Sequence, residues 1–121
     1  MRVILHIGLS KTGTSALQNV LCQNREVLKR QGVLYPDIFL KGMPLHVPNH
    51  NSFANALAGY IYYPNLSAEE YAAQFLRQYD ESHANTMILS AESLFGGDPH
   101  VWDVTNPMEY WKIHEQKLHN L

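Results

Sequence analysis

Apolar residues along this chain recur with more than one spacing, and each spacing predicts a different element. Arg2 to Ile7 carries Val3, Ile4, Leu5 and Ile7 on nearly consecutive positions. That is the pattern of a strand buried on both faces of a parallel sheet. Gly8-Leu9-Ser10-Lys11-Thr12-Gly13 interrupts it. From Thr14 onward Leu17, Val20, Leu21 and Leu28 recur at helical spacing, and Gln31-Gly32 supplies a C-terminal stop. The chain therefore opens as strand, glycine loop, helix.

Val33-Leu34-Tyr35 before Pro36 reads as a short second strand. Residues 36–51 hold Pro36, Pro44, Pro48, Gly42, His46, Asn49, His50 and Asn51, which is loop chemistry. A short helix is expected from Ser52, with Phe53, Ala56, Leu57 and Tyr60 facing inward, ended by Pro64-Asn65. Ser67-Ala68-Glu69-Glu70 is a capping box, in which two side chains satisfy orphan amides of a first turn. Tyr71, Phe75 and Tyr79 follow at i, i+4 and i+8, so a helix is predicted over about 68–82. Thr86-Met87-Ile88-Leu89-Ser90 reads as another short buried strand, running into Ala91-Glu92-Ser93. Gly96-Gly97-Asp98-Pro99 is a turn. Asn106-Pro107 gives an N-cap with Pro at the first helical position, opening a last helix that contains Trp111 and Leu118. Strands separated by helices argue for an α/β fold with parallel strands.

Composition narrows the function classes. At 121 residues with 45% hydrophobic content, the chain suits one globular domain and not two. A net charge of −2 and a pI near 6.4 give no field for gripping nucleic acid or an anionic membrane surface. Cys22 is the single cysteine, which excludes an internal disulfide and a thiolate zinc cluster. The opening apolar run is too short for a spanning helix or a signal-peptide core, so a soluble, cytoplasmic chain is expected.

A glycine loop between a buried strand and a helix is an anion site, because backbone N–H groups converge there and the helix N-terminus adds partial positive charge. Gly8-x-x-x-x-Gly13-Thr14-Ser15 has the spacing of a Walker A loop with one departure. Thr14 stands where the lysine belongs, and the only lysine in the loop is Lys11. That placement disfavours ATP or GTP hydrolysis and favours a different phosphorylated donor.

The run Leu5-His6-Ile7-Gly8-Leu9-Ser10-Lys11-Thr12-Gly13-Thr14-Ser15 resembles the 5′-phosphosulfate loop of sulfotransferases, where Lys-[Ser/Thr]-Gly-Thr-[Thr/Ser] follows the first strand. Gly32-Val33-Leu34-Tyr35-Pro36 and Ile88-Leu89-Ser90-Ala91-Glu92 resemble later segments of bacterial members. The resemblance implies a P-loop-like three-layer fold with a parallel sheet. It implies 3′-phosphoadenosine 5′-phosphosulfate as donor, with transfer of its sulfuryl group to the hydroxyl or amine of a small-molecule or carbohydrate acceptor. By the same resemblance Lys11 serves the bridging oxygen, while Ser10, Thr12, Gly13, Thr14 and Ser15 hold the 5′-phosphate.

Transfer also needs a base for the acceptor's proton. His50, in the Pro-rich segment, and Glu92, at the end of a predicted parallel strand, are the candidates, with His46 a weaker one. His46 and His50 do not make a helical metal pair, since Pro48 lies between them, and no metal is expected. His6, Trp102, Trp111 and the Tyr71/Phe75/Tyr79 stripe read as core. Two other functions fit the loop, a P-loop nucleotide kinase or NTPase and a non-catalytic phosphate-binding module. The resemblance covers roughly residues 2–95, and a doubly wound sheet needs about four to six strands. The family's 3′-phosphate is held by an Arg and a Ser after a later strand, and Arg2, Arg25, Arg30 and Arg77 lie in no such context. The chain is therefore expected to be the N-terminal portion of a larger, or truncated, relative.

Overall fold

A computed structural model describes residues 1–7 and 14–92, with the side chains of Thr14 and Ser15 not included. The glycine loop with Ser10, Lys11, Thr12 and Gly13 lies outside the described residues. So do the turn at 96–99, Trp102, and the expected last helix with Trp111 and Leu118.

Among the described residues nine elements follow in order: β1 (Arg2–His6), α1 (Thr14–Gln23), α2 (Arg25–Arg30), β2 (Val33–Leu34), β3 (Phe39–Leu40), β4 (Met43–Pro44), α3 (Asn51–Leu57), α4 (Ala68–Ser82) and β5 (Thr86–Ser90). The fold is mixed α/β. β1, β5 and β2 form a parallel sheet in that spatial order, with Arg2 opposite Thr86, His6 opposite Ser90, and Leu34 opposite Met87. The chain passes from β1 through α1 and α2 to β2, and returns through α3 and α4 to the middle position. Side-chain alternation divides the faces. Met87, Leu89 and Ala91 join the core formed with Phe53, Tyr71 and Phe75 of α3 and α4. Ser90 faces the other way and meets Gln18 of α1.

β1 is expected from its sequence to be buried on both faces, but the strand so buried is β5. In β1, Val3 and Ile4 are 40% and 43% exposed, because β1 pairs with β5 alone among the described residues. The single helix expected after the loop is two helices. Asn24 directs its side-chain amide to the Val20 carbonyl at 2.7 Å, while its backbone N–H is shared between Val20 and Leu21. An Asn that competes for ladder carbonyls in this way interrupts a helix. Asn51–Leu57 forms the third helix, shorter than expected. Gly59 turns the chain at φ 95°, and Tyr60, expected inside, is 41% exposed.

Within the segment expected to be loop, β3 and β4 form a small antiparallel hairpin. Lys41 and Gly42 both have positive φ, 52° and 77°, which is what a two-residue hairpin turn requires. Two glutamines fasten this segment to α4. Gln74 accepts from Phe39 N–H and donates to Phe39 O, and Gln78 does the same with Asp37. The capping box forms as expected, with Ser67 and Glu70 exchanging bonds at 2.7 and 3.1 Å. Tyr71 and Phe75 are buried below it and Tyr79 packs at the core's margin. Among the described residues no helix is long and apolar enough to cross a membrane.

Candidate functional site

In a parallel sheet the loops that bind ligands leave from the C-terminal strand ends. Here those ends are His6 of β1 and Ser90 of β5, side by side in register. The chain leaves His6 through Ile7 into the glycine loop and re-enters the described structure at α1. Ala91 N–H donates to the His6 carbonyl at 3.0 Å, so the β5 end stays fastened to β1 up to this point. Glu92, half-buried, follows directly.

Beneath these ends lies a polar cluster inside the protein. Ser90 is fully buried, and its hydroxyl lies 2.8 Å from His6 Nδ1 and 2.9 Å from the Gln18 side-chain nitrogen, which donates to it. Buried polar groups of this kind are stable only when mutually satisfied. Tyr35 also borders the Ser90 hydroxyl, and its own O–H donates to Pro48 O at 2.6 Å. Burial pushes the Tyr35 phenol up to about 12, although the Ser90 hydroxyl and Arg25 oppose the shift.

His50 is part of the same interior and is 0% exposed. Its Nδ1 accepts from Ser90 N–H at 2.9 Å, so Nε2 carries the proton and donates to Pro36 O at 2.8 Å. Its own N–H donates to Ser90 O at 2.7 Å. The ring packs edge-on between Tyr35 and Phe75, at 4.8 and 5.5 Å between centroids. Burial pushes its pKa from 6.5 down to about 4, with the nearby Arg25 charge acting in the same direction against the Pro36 carbonyl. A general base must reach the proton it removes. In this arrangement both His50 nitrogens are occupied by backbone, and the ring ties β2's exit to β5.

His46 is well exposed and pairs with Asp37 at 3.1 Å. Asp37 in turn accepts from Ile38 N–H and Val47 N–H, so this pair braces the hairpin segment. A cavity of about 520 Å³ opens there, with Cys22, Arg25, Tyr35, Asp37 and His46 among its walls. His6, Ser90 and Glu92 are not among them. Arg25 spends its guanidinium on structure, donating to the carbonyls of Tyr35, Pro36 and Val47 and to Cys22 Sγ. Among the described residues no three His, Cys, Asp or Glu side chains gather as a metal site.

Of the residues expected at the site from sequence, the sheet topology brings Glu92 to the strand ends beside the flanks of the loop. It places His50 underneath them and His46 at the hairpin. Sequence reasoning did not anticipate Gln18, Ser90 or the tie to His6. Gln18 did carry a signal, being a polar residue inside the Leu17/Leu21 apolar stripe of a helix, but its partner stands 72 residues further along. No family model, curated protein or solved structure matches the chain.

Proposed function

We propose that this chain is a sulfotransferase, or the donor-binding portion of one, which takes 3′-phosphoadenosine 5′-phosphosulfate at the loop 8–15. The observation that supports it is the parallel register of His6 with Ser90. With it, the lysine-bearing glycine loop runs from the C-terminal end of a sheet strand to the N-terminus of α1, where an anion is favoured. The apolar Val3 and Ile4, exposed on opposite faces of β1, support a P-loop-like, three-layer arrangement in which both faces of the sheet are covered.

In the proposed reaction the acceptor oxygen or nitrogen attacks sulfur in line with the bridging oxygen. The S–O bond to the phosphate breaks, and its electron pair stays on the departing 5′-phosphate. Lys11 neutralises that oxygen, the loop amides with Ser10, Thr12, Thr14 and Ser15 hold the phosphate, and Glu92 takes the acceptor's proton. Titration calorimetry with adenosine 3′,5′-bisphosphate tests the donor assignment. Binding is expected, with Lys11→Ala lowering sulfuryl transfer about a hundred- to thousandfold while the fold survives. Absence of bisphosphate binding, or magnesium-dependent ATP turnover that survives Lys11→Ala, would overturn it in favour of the nucleotide-hydrolysing or phosphate-binding alternatives.

A further inference from the structure

The Ser90 hydroxyl has one proton and two lone pairs, and side chains from both flanks of the loop meet it. Gln18 donates to one lone pair. Tyr35, beside the hydroxyl, commits its own proton to Pro48 O. His6 Nδ1 lies 2.8 Å from the same hydroxyl and donates to it or accepts from it according to the ring's tautomer. Ser90 is fully buried whereas His6 is half-buried. Nδ1 therefore faces the interior.

His6 is the last residue of β1, and Gln18 lies in the second turn of α1. The backbone between them contains the whole glycine loop. We propose that Ser90 is a positioning residue, whose single hydroxyl fastens both flanks of the loop, the strand side through His6 Nδ1 and the helix side through Gln18. The physical rationale is preorganisation. An anion site made of backbone N–H groups binds only as well as its flanks fix those groups, and a fully satisfied buried network fixes them without ordering cost at binding. The middle strand β5 is suited to this because it touches β1 along its length while its Ser90 side chain faces α1. This inference rests on the donor-site reading for its functional consequence, but the fastening itself is testable without a donor.

The experiment compares wild type with Ser90→Ala, Gln18→Met, His6→Asn and His6→Leu. An Asn side chain places an amide, able to donate or accept, near the position of Nδ1 and has nothing at Nε2, so it separates fastening from direct contact. Amide hydrogen exchange without ligand is expected to rise across residues 7–17 in Ser90→Ala, Gln18→Met and His6→Leu, and to stay near wild type in His6→Asn. Affinity for adenosine 3′,5′-bisphosphate should fall about tenfold in the first three and recover in His6→Asn. An exchange increase spread evenly over β5 and α4 would overturn the proposal, leaving Ser90 an ordinary core residue. Failure of His6→Asn to recover would also overturn it, because Nε2 itself would then be acting. Altered exchange at 7–17 in a protein whose wild type binds no bisphosphate would retain the fastening and discard the donor reading.

Discussion

His50 gives the most demanding test of the interior at the sheet's end. Its ring is 0% exposed, and its folded pKa is pushed from 6.5 down to about 4 by burial. As pH falls through 6.5 the unfolded chain takes a proton on this ring, while the folded chain refuses it until about pH 4. Acid therefore favours unfolding across that window, and above it both states hold a neutral ring and the contribution is flat. At about 1.4 kcal/mol per pH unit the loss over the full window is about 3 kcal/mol. Urea unfolding between about pH 7.5 and about pH 4.5 should show this decline. His50→Asn should be less stable by about 2–4 kcal/mol near neutrality, since one amide cannot reach both Ser90 N–H and Pro36 O and leaves a gap beside Phe75. In exchange, its stability should depend less on pH. Imidazole NMR signals of His50 should stay in the neutral form down to about pH 5. A ring that titrates near 6.5 in the folded protein would refute the reasoning, as would parallel pH curves for wild type and variant.

Arg25→Lys should cost about 2–3 kcal/mol in equilibrium unfolding, because a single ammonium cannot replace a fork that serves three carbonyls and a sulfur. Gln78→Leu removes both bonds to the Asp37 backbone and should cost about 1–3 kcal/mol. Its hydrogen exchange should rise in residues 36–47 and stay unchanged in the sheet of β1, β5 and β2.

The parts of the fold legible from residues alone are those whose causes are local. The capping box at Ser67 and Glu70 and the spacing of Tyr71 and Phe75 specify α4 without reference to anything distant. The apolar runs at 2–7 and 86–90 specify strands, and the glycine loop with Lys11 suggests a candidate anion site from eight positions of sequence. What eluded sequence reasoning depends on contacts across many residues. Asn24 divides a helix that the apolar spacing alone makes continuous, because its side chain competes for a carbonyl. Lys41-Gly42 makes a hairpin inside a segment whose prolines argue against strands, and Gln74 and Gln78 hold it there from thirty-five and forty-one residues away.

The candidate site divides in the same way. Lys11, Ser10 and Thr12 to Ser15 are recognisable by type and spacing, and so is Glu92 by its place after a strand. Local composition made His50 a polar loop residue, since Pro48, Asn49 and Asn51 surround it. Its burial was decided by Phe75 and Tyr35, which close over the ring, and by Ser90 and Pro36, which take its two nitrogens. His6 reads as a core histidine from its place in an apolar strand, while its tie to Ser90 lies outside local view. By itself, then, the sequence determined α4 and the strands β1 and β5, because periodicity and capping chemistry act within a few residues. Only the tertiary structure decided that β5 lies between β1 and β2. That order sets Ser90 under both flanks of the loop, and it follows from pairing strands that share no local signal.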